Sequence, residues 1–174
     1  MKLSVGFLVA FAIIVLRDAN PPHAFTSEWI GKQAPELARG EWINSPQLSL
    51  KELRGKVVLL EFWTFGCYNC LNTLPHIKAW HTKYSGSAFQ IIGIHTPEFE
   101  REKDVRNVRR RVAQLGIAYP VVTDNEYETW HRYNQEYWPV LYLLDKKGFI
   151  RYVHIGEGNY DETERQIAAL LAEK

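Results

Sequence analysis

The chain has 174 residues, of which 46% are hydrophobic and 13% are aromatic. These proportions exclude a disordered chain, and the length is sufficient for one domain with a hydrophobic core. The formal net charge is only +1, which argues against nucleic acid as a partner.

The N-terminal segment has the pattern of an export signal. Lys2 precedes an uncharged apolar stretch over residues 3–16, and Arg17 and Asp18 close it. This stretch is typical of a secretory signal and is shorter than the roughly 20 residues of a membrane span. Cleavage after Ala24 fits the pattern, and an uncleaved membrane anchor is the alternative. Residues 1–24 are therefore predicted as signal peptide or anchor, and the chain as periplasmic or otherwise extracytoplasmic.

Residues 25–174 are predicted as a single α/β domain. Apolar runs and helical periodicity give the elements in chain order. The predicted strands are 41–44 at an edge, a buried strand beginning at 57, 88–95, 120–124, 140–145 and 149–155. The predicted helices are a turn at 49–53, then 68 to about 84, 101–116, 126–135 and 161–173. The sequence contains no repeat or low-complexity linker that would divide this domain.

Two cysteines follow the predicted strand that begins at residue 57. The segment VVLLEFWTFGCYNCLNTLP is interpreted as buried strand, tight turn and helix. A helix that begins near Tyr68 places the Cys67 sulfur beside unsatisfied backbone N–H groups, which favour the thiolate. Cys67 is thus the expected attacking sulfur. Cys70 lies one helical turn farther on the same face and is expected to resolve a mixed disulfide.

The cysteine pair has two other interpretations. A structural disulfide across so short a loop constrains little of the unfolded chain. A zinc site needs about four ligands, and no second C-x-x-C or H-x-x-x-H accompanies the pair. Redox exchange is therefore the favoured chemistry, with the disulfide itself as the redox group and no metal or other cofactor expected.

The motif FWTFGCYNCLNTLP resembles the thioredoxin superfamily. It is most similar to the envelope-facing TlpA/ResA type and to the C-terminal thioredoxin-like domain of DipZ-type membrane proteins. The resemblance implies a thioredoxin-like α/β fold, in which a central mixed sheet is flanked by helices. It also implies that the predicted strand 120–124 and helix 126–135, which precede the final hairpin, are an insertion of the TlpA/peroxiredoxin kind.

The resemblance assigns places to several residues of this motif. Trp63 stands at the family's aromatic position, Pro75 at its helix-kinking position, and Glu61 where thioredoxin carries a buried acid. Burial without a cationic partner would raise the pKa of Glu61 and suit it to exchange protons with Cys70. A salt-bridged or snorkelling carboxylate is the alternative for Glu61. Tyr68-Asn69 replaces the Gly-Pro of thioredoxin, which leaves the redox potential open.

Three residues outside the motif are further candidates for the site. Trp138-Pro139 resembles the family's cis-proline, which implies a cis peptide beside Cys67 and a backbone that binds an extended substrate. An ordinary trans proline at a strand end is the alternative. His95 is the last residue of a predicted parallel strand, at the carboxyl end where sites collect, so it either lines the site or is merely a polar residue at a strand exit. Trp63, Tyr68 and Asn69 complete the predicted substrate-binding set.

The leading functional prediction is an exported thiol/disulfide oxidoreductase that acts on protein thiols. A reductant is favoured because neither Tyr68 nor Asn69 supplies a cation to stabilise a thiolate. Such a reductant needs electrons from a membrane thiol-transferring partner, and a monomer is expected.

A peroxiredoxin-type peroxidase is one alternative, because Thr64 stands three residues before Cys67, although Leu60 occupies the family's proline position. A copper-binding module that uses His95 is the other alternative.

Overall fold

The computed structural model describes residues 22–174. The predicted signal or anchor, residues 1–24, lies almost wholly outside the described residues. Within residues 22–174, no helix is long and apolar enough to cross a membrane.

The described residues form a six-stranded sheet with helices on both faces. The strands are β1 (Trp42–Ile43), β2 (Val57–Trp63), β3 (Phe89–His95), β4 (Val121–Thr123), β5 (Val140–Leu144) and β6 (Ile150–Ile155). The helices are α1 (Pro22–Trp29), α2 (Tyr68–Lys83), α3 (Val105–Gln114), α4 (Glu128–Arg132) and α5 (Tyr160–Ala172), with a short 3-10 helix at Glu100–Glu102.

The sheet is mixed and has the order β1-β4-β3-β2-β5-β6. Strand β2 pairs in parallel with β3, and β3 in parallel with β4, whereas the β1–β4, β2–β5 and β5–β6 pairs are antiparallel. All seven residues of β2 are buried, because helices cover both faces of this parallel region. The predicted fold class is confirmed, and the predicted extra strand 120–124 and helix 126–135 correspond to β4 and α4, which lie between β3 and β5 in the chain.

Alternating residues of β2 belong to two separate cores. Leu59 and Trp63 pack beneath α2, in one cluster with Cys70 and Ile77. The intervening residues face the opposite core, which contains α1 and α4. Glu61 is two residues from both Leu59 and Trp63 along the strand, so its side chain points to the same face as theirs. Its carboxyl therefore lies on the face of the sheet that α2 and Cys70 cover.

Two predicted helices have different bounds in the structure, and one helix of the structure was not predicted. The predicted helix 101–116 divides, because the Asp104 carboxylate accepts the N–H of Arg106 (2.9 Å) and caps a helix that begins at Val105. The predicted helix 126–135 shortens to α4, whose first turn donates to the side chain of Asp124. Helix α1 was not predicted, and its Trp29 ring stacks on Tyr133 at 5.7 Å.

Candidate active site

Cys67 and Cys70 form a disulfide at the start of α2, with their Cα atoms 5.3 Å apart. Cys67 is the N-cap residue with an extended backbone, and its Sγ accepts the N–H of Cys70 at 3.2 Å. The Cys67 side chain is half-buried, whereas Cys70 is 1% exposed. An approaching sulfur can therefore reach Cys67, while Cys70 remains inside the helix–sheet interface.

Glu61 is a buried carboxyl at the centre of the sheet. It is 1% exposed, and its Oε2 accepts the hydroxyl of Tyr119 at 2.8 Å. Burial raises the pKa of Glu61 from 4.5 to about 7, and the Tyr119 hydrogen bond opposes part of that rise. The described residues provide no salt bridge to this carboxyl. Glu61 therefore lies on the covered face of a central strand rather than at a solvated edge.

Tyr119, which sequence reasoning missed, reaches Glu61 across a position without a side chain. Gly93 of β3 pairs directly with Glu61. A Cβ atom on Gly93 would lie 3.2 Å from the Tyr119 ring and 2.9 Å from the Trp63 indole nitrogen. Burial raises the pKa of Tyr119 well above its usual value, so the hydroxyl keeps its proton and remains a donor. The one sequence signal for this contact was the glycine inside the apolar run of β3.

A groove beside Cys67 holds most of the predicted substrate-binding residues. It has a volume of about 350 Å³ and is lined by Gly66, Cys67, Tyr68, Asn69, Glu98, Phe99 and Trp138. The Trp138-Pro139 peptide bond is cis, as the resemblance implied. Pro139 is buried directly before β5, and the Trp138 ring contacts Trp130 at 4.2 Å.

Two predicted contacts do not lie on the groove surface. Trp63 is only 1% exposed and meets His95 edge to face at 5.3 Å, so it supports the site from within the core instead of contacting a substrate. His95 is fully buried beneath the turn that precedes Cys67. Its Nε2 is 3.3 Å from the Thr64 hydroxyl oxygen, and burial lowers its pKa to about 4, which leaves a neutral imidazole.

Glu102 is a second buried carboxyl of this region, and sequence reasoning missed it. Its Oε2 accepts the Thr64 hydroxyl (2.6 Å) and the backbone N–H groups of Glu98 (2.8 Å) and Phe99 (3.2 Å). The run PEFEREK gives no periodic signal that distinguishes this buried acid from exposed Glu98 and Glu100. Within residues 22–174, no group of three or more His, Cys, Asp or Glu side chains is arranged to hold a metal ion.

Comparisons with known proteins agree with this geometry. The AhpC/TSA family matches residues 30–153. Protein DipZ of Mycobacterium tuberculosis is 45% identical over 133 residues, which are 75% of this chain, and the chain spans only 19% of DipZ. The thiol-disulfide oxidoreductase ResA of Bacillus thuringiensis is 30% identical over 135 residues, 78% of this chain and 75% of ResA.

Solved structures give the same result. The crystal structure of a thiol-disulfide isomerase from Corynebacterium glutamicum is similar with a TM-score of 0.72 and 30% identity. The match covers 81% of this chain and 98% of that one. The predicted resemblance to ResA and DipZ proteins is therefore confirmed.

Proposed function

Because the chain belongs to the AhpC/TSA family of thioredoxin-like proteins, we propose that it exchanges disulfides with protein thiols outside the cytoplasm and acts there as a reductant. The relative ResA is named a thiol-disulfide oxidoreductase, which supports the same enzyme class for this chain. The observation that carries the proposal is the Cys67–Cys70 disulfide at a helix N-terminus, with one accessible and one buried sulfur. Cys67 attacks and Cys70 resolves.

The reductive half of the cycle proceeds in two exchanges. The Cys67 thiolate attacks one sulfur of a substrate disulfide, so that a mixed disulfide forms and the other substrate sulfur leaves as a thiolate. The Cys70 thiol then loses its proton, and its sulfur attacks Cys67 Sγ. The mixed disulfide breaks, the second substrate thiolate leaves, and the Cys67–Cys70 disulfide forms. The substrate gains two electrons and, after protonation, two thiols.

Glu61 is the proposed acceptor of the Cys70 proton. Its carboxyl lies on the sheet face that Cys70 covers, and its pKa of about 7 allows it to gain and lose a proton near neutral pH. In the opposite half of the cycle, when a donor reduces the disulfide, Glu61 returns the proton to Cys70. No cofactor enters either half, since the electrons reside on the two sulfurs.

The groove is proposed to bind the residues that flank the substrate cysteine. Tyr68 is 75% exposed and Phe99 is 45% exposed, so both rings are available to apolar side chains of a substrate. Trp138 and Pro139 stand directly before β5, where an extended segment can add its backbone beside the chain. Asn69 supplies a polar contact on the same wall.

The location and the electron donor complete the proposal. The apolar segment within residues 1–24 supports export, either with cleavage or with retention as an anchor. A reductant in an oxidising compartment must be reduced again, and a membrane thiol-transferring protein can deliver those electrons from the cytoplasm. The functional unit is proposed to be a monomer.

The Cys67/Cys70 reduction potential tests the direction of electron flow. It is measured in defined thiol buffers by following the fluorescence of buried Trp63. A value near about −270 mV supports a reductant, and a value near about −120 mV overturns that assignment. Cys67→Ser should abolish reduction of a protein disulfide, whereas Cys70→Ser should accumulate the mixed disulfide. Accumulation by Cys67→Ser instead would reverse the assigned roles.

Neither alternative function gains a supporting observation. The Thr64 hydroxyl, which a peroxidase would direct at its substrate, is fully buried and donates to Glu102. His95, the candidate copper ligand, is buried beneath the turn with Nε2 against Thr64.

A further inference from the structure

The Glu102 carboxylate connects the two walls of the redox groove. One of its three donors, the Thr64 hydroxyl, belongs to the turn that leads to Cys67. The other two donors are the backbone N–H groups of Glu98 and Phe99, on the opposite wall. All three donate to the same oxygen, Oε2. Glu102 therefore fixes the position of the turn relative to the loop that faces it.

The other oxygen of Glu102 faces the residue before the attacking cysteine. Oε1 is buried and has no hydrogen-bond partner within the described residues. A Cβ atom on Gly66 would lie 2.0 Å from it, so the oxygen lies against the Gly66 backbone. Gly66 directly precedes Cys67. An acid oxygen without a hydrogen-bond donor thus lies against the residue that directly precedes the reactive cysteine.

We propose that Glu102 is a positioning residue that holds the active-site turn and disfavours the Cys67 thiolate, which makes the reduced protein a stronger reductant. This inference rests on the proposed function and names a group that favours electron flow from the protein to its substrate. When the reduced pair becomes a disulfide, Cys67 loses its negative charge, Cys70 loses its proton, and two electrons pass to the substrate. The repulsion between Cys67 and Glu102 disappears in that step, so the disulfide is favoured.

Several charged or titratable groups surround the turn and must be weighed against Glu102. They are Glu61, His95, Glu98, Arg101 and Arg111. Arg101 is the nearest cation, with Nη2 4.0 Å from Glu102 Oε1, but its side chain is 64% exposed. Solvent screens an exposed charge much more than a buried one, so the carboxylate should dominate over Arg101.

The remaining groups affect the stability of the Cys67 thiolate less than Glu102 does. His95 is neutral, since burial lowers its pKa to about 4. The Arg111 guanidinium lies over the Phe65 ring, 5.9 Å from its centroid, and Glu98 is exposed on the groove wall. Glu61 lies on the sheet face beneath Cys70. The N-terminus of α2 favours the Cys67 thiolate, so Glu102 acts against the helix.

The test compares Glu102→Gln with the unaltered full-length chain. Glutamine keeps the size and an acceptor oxygen for Thr64 but removes the charge. The pKa of the Cys67 thiol is measured from the pH dependence of its alkylation by iodoacetamide in the reduced protein. We expect this pKa to fall by about one unit. At a pH above the Cys67 pKa of the unaltered chain, the exchange equilibrium with glutathione should shift toward the dithiol by up to about tenfold, which equals about 30 mV.

Two further variants separate the charge from the shape. Glu100→Gln removes the same charge from a side chain that is 86% exposed and paired with Lys103, and it should leave the Cys67 pKa unchanged. Glu102→Asp keeps the charge and should stay close to the unaltered protein. An unchanged Cys67 pKa in Glu102→Gln, or an equal shift in Glu102→Asp, overturns the inference.

The unaltered chain provides a test that does not depend on whether a variant folds. A helix N-terminus alone lowers a cysteine pKa below its usual value of about 8.5. With Glu102 opposing the helix, the Cys67 pKa should remain at about 8 or above, and a lower value overturns the inference. An oxidising absolute potential would refute the proposed reductant instead, while the difference between Glu102→Gln and the unaltered chain would still test Glu102 separately.

Discussion

Replacing Glu61 with glutamine should remove a pH dependence of stability that this carboxyl imposes. Burial raises the Glu61 pKa from 4.5 to about 7, a difference that corresponds to about 3 kcal/mol. Below pH 4.5 the group is protonated in the folded and unfolded states, and its burial carries no charge penalty. As the pH rises toward 7, the unfolded chain loses this proton first, so stability falls. Above about pH 7 the folded protein contains a buried carboxylate and bears the whole penalty.

The assay is urea unfolding of the oxidised protein at several pH values, for the unaltered chain and Glu61→Gln. All other titrating groups are shared, so their contributions cancel in the difference. Glu61→Gln should gain about 3 kcal/mol relative to the unaltered chain between about pH 4.5 and about pH 8. Tyr119→Phe is the matched control, because loss of the 2.8 Å hydrogen bond should raise the Glu61 pKa further and move the transition to higher pH. A difference that is independent of pH would refute the reasoning.

Three further substitutions test the surroundings of the site. Gly66→Ala would place a Cβ 2.0 Å from Glu102 Oε1, and we expect a loss of about 1–3 kcal/mol in urea unfolding, partly restored by Glu102→Asp. Asp124→Ala removes the acceptor for the N–H groups of Thr129 and Trp130 and should lower the unfolding free energy by about 2 kcal/mol, whereas an unchanged value would contradict its capping role. Tyr68→Ala alters a ring that is 75% exposed, so stability should change by less than about 0.5 kcal/mol. Its kcat/KM for a protein disulfide should fall while reduction by dithiothreitol is unaffected, and equal losses would exclude a role in docking.

The elements that carry the cysteines could be predicted because their signals are local. Strand β2 is a continuous apolar run, and α2 begins one residue after Cys67, as the spacing of the two cysteines and the turn indicated. The role of Glu61 was suggested by a single charge inside that run. Such features depend on residues that are neighbours in the chain, so the sequence contains them directly.

The contacts that tune the site could not be predicted, because they join distant segments. Tyr119 and Glu61 are 58 positions apart, and Thr64 and Glu102 are 38 apart. Glu102 stands among acids and bases that are mostly exposed, and burial alone distinguishes it. The start of α3 is a different case. Asp104 is a recognisable N-cap residue, and the prediction that the helix begins at residue 101 did not use it.

The two buried carboxyls beside the cysteine turn, Glu61 and Glu102, differ in the number of their donors, and this difference separates their proposed roles. Glu61 accepts one hydroxyl in apolar surroundings, which suits it to gain and lose a proton. Glu102 accepts three donors on one oxygen, which suits it to hold a fixed position. Glu61→Gln should therefore slow the Cys70 step and accumulate the mixed disulfide, whereas Glu102→Gln should alter the Cys67 step without accumulation. Rapid acid quenching of the reaction, followed by electrophoresis under non-reducing conditions, measures the mixed disulfide directly. Equal accumulation in both variants would show that the two carboxyls act on the same step.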